Sequence, residues 1–436
     1  MKKPSSGVCV IGLWHLGCTA AACLAEAGYS VTGVDKDRKR VKELNAGRPP
    51  LFEPGLEELI KAGLDAKRLR FTADLKAGVR GARFIYVTYD TPVDDNDDVD
   101  LSEILAMAKE IAPILEKGTV IIVSSQVPVG TCERIKSIVL RNNPAADFDI
   151  AYVPENLRLG QAIQRFARPD GIVIGADSPS TLKKVEQFFS VIKAPRLTMG
   201  LRSAEMTKHA INAFLATSIS FTNEMANLCD YLGADALKVA EGMRLDKRIG
   251  GGLPLSPGLG FAGGTLARDL KTLSKLWRRH DGQGHLINAV LKVNREQNGL
   301  VVRKLKKIYG SLAGRNIAVL GLTYKAGTST LRRSAALEII AELAGQGAKV
   351  KAFDPRAAPE EVKKHKEFKS CASPYEAAKG ADALVIITDW PEFKELDFDR
   401  IKSTMKKPVI IDTKNMLDDR RLESGGMAYY GVGRGK

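Results

Sequence analysis

The chain has 436 residues, too many for one ordinary hydrophobic core, so two or three domains are expected. A composition of 44% hydrophobic and 27% charged residues excludes a disordered chain. The net charge of +15 suits a phosphate-bearing substrate, but the basic residues run along helical stretches such as KDRKRVKEL without interleaved aromatics, so no nucleic-acid partner is expected.

No apolar run approaches the ~20 residues of a spanning helix, so no membrane partner is expected. MKKPSSGVCVIG passes directly into a strand without a leader's long apolar stretch, and the expected location is the cytoplasm. The first strand is GVCVIG, residues 7–12, followed by a helix through CTAAACLAEAG and a second strand, YSVTGVD, residues 29–35. Between them lies GLWHLG, residues 12–17. A dinucleotide fold wants G-x-G-x-x-G there, because backbone amides at the helix N-terminus must approach a pyrophosphate. Gly12 and Gly17 keep the outer positions, and Trp14 replaces the middle glycine.

Asp35 ends the second strand, where a carboxylate accepts from ribose hydroxyls and repels a 2′-phosphate, favouring NAD over NADP. Arg40 on the next helix faces the adenine or a phosphate, and Leu16 and Thr91 complete the expected cofactor set. The runs RFIYVTY (83–89), TVIIVSS (119–125) and DIAYVP (149–154) are further strands, with helices between most of them. Such alternation implies a parallel, doubly wound sheet.

From residue 200 to about 300 the apolar spacing turns helical, interrupted by a glycine-rich stretch at 250–264. The first theme then returns in RNIAVLGLTYKAGT (315–328), KVKAFDP (349–355), ADALVIITDW (381–390) and KPVIIDTKN (407–415). The expected fold is α/β: two Rossmann-like, doubly wound parallel-sheet domains, 1–200 and 301–436, joined by an all-helical domain, 201–300. The six cysteines form no CxxC pair and the five histidines do not cluster, so no metal site is expected.

The motifs LFEPGLEELI, SSQVPVGT, VPENLRLGQAI, AEMTKHAINAFLATSISFTNEMANL, DKRIG, GFAGGTLARDL, GLTYKAGTSTLRRS and TDWPEF occur in one order along nearly the whole chain. In that order they resemble the UDP-glucose/GDP-mannose dehydrogenase family. The resemblance implies NAD in the first domain, a nucleotide sugar in the last, and a helical middle that forms a homodimer or higher homo-oligomer. Members oxidise a sugar C6 alcohol to a carboxylate in two hydride transfers, with a cysteine thiolate capturing the intermediate aldehyde. By position, Lys208 and Asn212 match the pair that stabilises oxyanion charge, one helical turn apart. Glu155 matches a catalytic-site glutamate, and Asp269 the aspartate that follows the cysteine loop. Arg248, Phe261, Gly263 and Lys325 fall at substrate positions, and Arg332 at a cofactor contact of the last domain.

The departures fall on the chemistry. Thr265 stands in the nucleophile's place, Gln126 in that of a threonine, Leu159 in that of a second glutamate and Arg268 in that of a lysine. A threonine hydroxyl without a base is a poor nucleophile. The first hydride transfer needs no thiol, so the expected reaction is oxidation of a UDP- or GDP-sugar alcohol to a carbonyl, or a redox-neutral epimerisation. Its rivals are the ordinary four-electron dehydrogenase giving a uronic acid and a catalytically silent nucleotide-sugar-binding homologue.

Overall fold

A computed structural model describes residues 7–92, 99–155, 157–250 and 252–435. It separates into two compact units, residues 1–210 and 211–436, with the division inside the helix Leu201–Leu232.

The first unit carries one sheet in the order β3-β2-β1-β4-β5-β6-β7-β8. Its strands are β1 (Gly7–Ile11), β2 (Ser30–Val34), β3 (Leu69–Thr72), β4 (Ala82–Val87), β5 (Thr119–Val123), β6 (Phe148–Tyr152), β7 (Ile172–Ala176) and β8 (Arg196–Met199). All neighbours are parallel except β6 and β7. β1 shows why the sheet is sandwiched: Val8 and Val10 enter one core, Cys9 and Ile11 the other. A strand with both faces covered reads as a continuous apolar run. Strands β3, β7 and β8 lie beyond the sequence expectation. RLTM of β8 is a four-residue, largely exposed edge strand, too short for its alternation to stand out.

The second unit holds an all-parallel sheet in the order β11-β10-β9-β12-β13-β14. Its strands are β9 (Asn316–Leu320), β10 (Lys349–Phe353), β11 (Phe368–Ser370), β12 (Ala383–Ile386), β13 (Val409–Asp412) and β14 (Ala428–Gly431). The helical region expected between the sheets is present as Leu201–Leu232, Ala236–Leu245, Leu266–Arg279, His285–Asn298 and Leu300–Tyr309.

Register positions the chemistry. Ile11 pairs with Val34 at the ends of β1 and β2, so Gly12 and Asp35 emerge side by side at the carboxyl edge. Val123 pairs with Tyr152, which sets the SSQVPVG and VPE segments next to each other. Carboxyl edges of parallel sheets are where such folds bind ligands.

Candidate active site

The first unit builds a dinucleotide loop. Gly12 has φ +95°, and a Cβ there would lie 2.8 Å from the Tyr89 amide nitrogen. A Cβ on Gly17 would lie 1.8 Å from the Gly12 carbonyl oxygen, so only glycine lets the helix His15–Glu26 start this close to the loop. Trp14 is the N-cap of that helix and makes no side-chain cap, which leaves the first-turn amides available to an anion. Its φ of −84° is ordinary for any residue, so the backbone does not require the glycine that the motif asks for. The indole is accommodated against Arg40, whose guanidinium carbon lies 5.1 Å from the ring centroid.

Asp35 is buried. Its Oδ2 accepts from the Leu13 amide at 2.8 Å and from Arg40 Nη1 at 2.7 Å, while Oδ1 accepts from the Asp37 amide at 2.9 Å. The glycine cradle, open first-turn amides and carboxylate fit a dinucleotide, with Arg40 already seated at its edge. Leu16 lies in the first turn of the helix, half-buried. Thr91 is buried and donates its hydroxyl to the Gln126 carbonyl at 2.7 Å, tying two strand-end loops together.

Asp354 follows β10 as Asp35 follows β2, yet it is differently employed. Its Oδ2 accepts from the Leu322 and Thr323 amides, the Thr323 hydroxyl and the Trp390 indole, while Oδ1 takes the Arg356 and Ala357 amides. The second sheet's matching carboxylate is consumed in folding its own loops.

Glu155 leaves β6 and turns on itself, its Oε2 accepting from the Leu157 amide at 2.7 Å. Lys208 is buried, donates from Nζ to the Glu155 carbonyl at 2.6 Å and lies 3.6 Å from Glu155 Oε1. Leu159, half-buried, follows in the same loop. Sequence reasoning missed the two neighbours of Lys208 on the helix. Buried Glu205 accepts from the Gly130 amide at 2.6 Å and the Cys132 amide at 2.9 Å, capping the helix Thr131–Asn142 from a distance. Its burial pushes this carboxyl above the usual range, against those amide bonds. The His209 ring pairs with the Val127 carbonyl at 3.0 Å. One turn of helix therefore grips the loops after β5 and β6. The only sequence signal was the AEMTKH run itself.

In the second unit Asn212 donates its side-chain amide to Asp269 Oδ2 at 2.6 Å, both residues being buried. Asp269 lies in the first turn of the helix Leu266–Arg279, where the helix dipole favours a carboxylate. Thr265 is the N-cap of that helix, exposed, and makes no side-chain cap. Arg268 is buried beside Asp269. The glycine-rich loop before Thr265 is held by amides that were not anticipated. Asn223 donates to the Leu259 carbonyl and accepts from the Gly258 amide, and Gln297 donates to the Gly258 carbonyl. Asn294 holds Phe261 by both its amide, at 2.6 Å, and its carbonyl, at 3.2 Å. A Cβ on Gly260 would lie 2.6 Å from the Asn294 carbonyl oxygen, which explains that glycine.

Gly263 has φ +81° and donates its amide to the Arg333 carbonyl, and a Cβ there would meet the Tyr324 ring at 3.2 Å. The glycine loop thus lies against the GLTYKAGT loop, where Lys325 Nζ sits 5.9 Å from the Tyr324 ring. Arg332 is exposed in the segment that follows. Arg248 is highly exposed and closed on its neighbour Asp246 at 2.6 Å. Among the described residues no group of three or more His, Cys, Asp or Glu side chains is placed to hold a metal, and no helix is long and apolar enough to cross a membrane.

A glycine loop opening a helix beside a strand-end carboxylate, on a mostly parallel sheet, defines a dinucleotide-binding domain. The chain belongs to the UDP-glucose/GDP-mannose dehydrogenase family. It matches that family's NAD binding domain over residues 6–193, its central domain over 202–296 and its UDP binding domain over 318–419. It is 39% identical over 435 residues to a UDP-glucose 6-dehydrogenase of Rhizobium meliloti (strain 1021), covering 98% of this chain and 99% of that protein. It is 38% identical to the UDP-glucose 6-dehydrogenase TuaD of Bacillus subtilis (strain 168), covering 100% and 94%. A solved UDP-glucose dehydrogenase from Pyrobaculum islandicum superposes with a TM-score of 0.90 at 30% identity, covering 99% of this chain and 98% of that one. A UDP-D-ManNAc dehydrogenase from Pyrococcus horikoshii gives 0.87 at 27% identity, covering 98% and 99%. The cofactor is accordingly NAD, and the enzyme class is nucleotide-sugar dehydrogenase.

Proposed function

We propose that the enzyme oxidises an alcohol of a UDP- or GDP-linked sugar by a single hydride transfer, leaving the product at the carbonyl level or returning the hydride in an epimerisation. The observation that carries this reading is Thr265, an exposed hydroxyl at a helix N-terminus where the family resemblance places a thiolate. No other described thiol stands in for it, because all six cysteines are buried. Burial pushes the Cys23 thiol up to about 12 and raises those of Cys9, Cys18, Cys132 and Cys371.

In this reading Gly12, Trp14, Leu16, Gly17, Asp35, Arg40, Thr91 and Arg332 hold the cofactor. NAD held there would supply the acceptor for the hydride of the alcohol carbon. Lys208 and Asn212 polarise the substrate oxygen, and Glu155 or Asp269 takes the hydroxyl proton directly or through water. Thr265 hydrogen-bonds the sugar, and Arg248, Phe261, Gly263 and Lys325 contact the nucleotide sugar. The domain assignment is NAD binding over 1–200, helical dimerisation over 201–300 and nucleotide-sugar binding over 301–436. Self-association is supported by a row of exposed apolar side chains on Leu201–Leu232, namely Ile211, Phe214, Phe221, Leu228 and Tyr231.

The near full-length identity with UDP-glucose 6-dehydrogenases favours a second reading, four-electron oxidation to a uronic acid. Purified enzyme with NAD and a panel of UDP- and GDP-sugars separates the two by product mass and NADH absorbance. One NADH and a product lacking two hydrogens supports the proposal, as does an isomer of unchanged mass without net NADH. An acid with two NADH overturns it.

A further inference from the structure

One buried carboxylate joins the cofactor loop to the Glu155 loop. Glu53, in the LFEPG turn, is 3% exposed. Its Oε2 accepts from His15 Nε2 at 2.9 Å and from the Gly160 amide at 2.8 Å, and its Oε1 accepts from the Ala162 amide at 2.7 Å. His15 is the first residue of the helix His15–Glu26, in the turn offered to the dinucleotide. Gly160 and Ala162 close the loop that starts at Glu155 and open the helix Ala162–Ala167. The N-cap of that short helix, Gln161, makes no side-chain cap, and Glu53 supplies the missing acceptor and the favourable negative charge. Lys208 holds the other end of the loop at the Glu155 carbonyl. The chain reverses at Gly160, with φ +83°.

We propose that Glu53, linked through His15, is a positioning residue that sets the Glu155 loop according to the state of the cofactor turn. His15 and Gly160 share one oxygen of Glu53. A pyrophosphate at the helix N-terminus draws the imidazole toward it and thereby changes the bond that holds Gly160. A purely architectural Glu53 would fix the loop equally well with the cofactor site empty or filled. The two cases therefore differ in response, not in stability.

The test is hydrogen exchange of the full-length protein with and without saturating NAD, needing no sugar, so its outcome is independent of how far the oxidation proceeds. In the wild type NAD slows exchange both in peptides covering 13–20 and in peptides covering 157–163. In His15→Phe, which leaves the Glu53 amide bonds in place, NAD still protects 13–20 while the response of 157–163 falls at least threefold. Glu53→Gln raises exchange of 157–163 in both states and abolishes the NAD response there. If Glu53→Gln does not fold, His15→Phe alone decides. A wild type in which NAD leaves 157–163 unchanged overturns the proposal, and so does a His15→Phe variant that keeps the full response.

Discussion

Asn212 donates its side-chain amide to Asp269 at 2.6 Å with both groups buried, so the carboxylate is held in a fixed direction by a residue from another helix. Removing the donor leaves Asp269 desolvated with one bond fewer. Asn212→Ala is expected to cost about 1–3 kcal/mol of stability in urea unfolding. Under the proposed role of Asn212 toward the substrate oxygen, the same substitution is expected to slow NADH formation by roughly 100-fold. A stability loss with an unchanged turnover rate would reduce Asn212 to an architectural residue.

The Trp14–Arg40 stack yields an optical prediction. Arg40 bridges the indole and Asp35, so a dinucleotide docking at Asp35 disturbs the guanidinium that covers the ring. NAD is expected to change tryptophan emission in the wild type and not in Trp14→Phe, although that variant still binds NAD by calorimetry. Arg40→Met is expected to weaken NAD about tenfold, the equivalent of ~1.4 kcal/mol. An unaltered emission response in Trp14→Phe would assign the signal to another tryptophan and leave Trp14 outside the cofactor site.

The legible parts of the fold and the site share one property: their signal is local. β1 is an unbroken apolar run, β2 is a short valine-bearing strand, and Gly12, Gly17 and Asp35 sit at spacings set by one strand–helix–strand unit. Trp14 broke the pattern because the middle glycine serves close approach to a pyrophosphate, a demand the backbone angle does not record, and here the indole sits against Arg40 instead. The supporting groups were illegible for the opposite reason. Glu53 reaches an amide 107 residues away, Glu205 one 75 residues away and Asn223 one 35 residues away. A capping carboxylate supplied by a distant segment has no periodicity, and only the folded chain reveals which helix or loop it completes.

The exposed row on Leu201–Leu232 predicts the assembly. Phe214, Phe221 and Leu228 recur every seven residues, which keeps them on one helix face. The wild type is expected to elute as a dimer or larger in chromatography with light scattering. Phe221→Glu combined with Leu228→Glu should give a monomer with unchanged far-ultraviolet dichroism, because burying two carboxylates in an apolar interface is prohibitive. A wild type that is monomeric at micromolar concentration would contradict the assignment.

Acid stability carries a further signature. Asp149 is partly desolvated, which raises its pKa, but Lys184 Nζ at 2.6 Å and the Thr181 hydroxyl outweigh that and hold the carboxyl below its ordinary value of 3.8. A depressed folded-state pKa contributes stability that is present above the unfolded value and is lost as pH falls through the folded one. The stability difference between wild type and Asp149→Asn should therefore be constant well above pH 3.8 and shrink as pH falls below it in urea titrations. A difference that persists at the acid end would assign the effect to packing rather than charge.

Thr265 supports the sharpest chemical prediction. A thiol has an ordinary pKa of about 8.5, and a helix N-terminus lowers it further, whereas a hydroxyl in the same place stays protonated. Thr265→Cys places the nucleophile at the N-cap of Leu266–Arg279, beside Asp269. An aldehyde product is expected to be captured by its thiolate as a thiohemiacetal. The C–H hydride of that adduct goes to a second NAD and its hydroxyl proton to solvent, leaving a thioester. A ketone product has no such hydrogen and stops at the adduct. Leu159 remains where a water-handling carboxylate is wanted, so hydrolysis should be slow and the thioester should accumulate, visible as added mass on the intact protein. Thr265→Ala, lacking only a hydrogen-bonding contact, should keep one NADH per product with a turnover rate within about tenfold of wild type. If Thr265→Cys forms no adduct with an aldehyde product while Thr265→Ala stays active, the glycine loop does not bring position 265 to the reacting carbon, and the proposed single-hydride reaction loses Thr265 as its support.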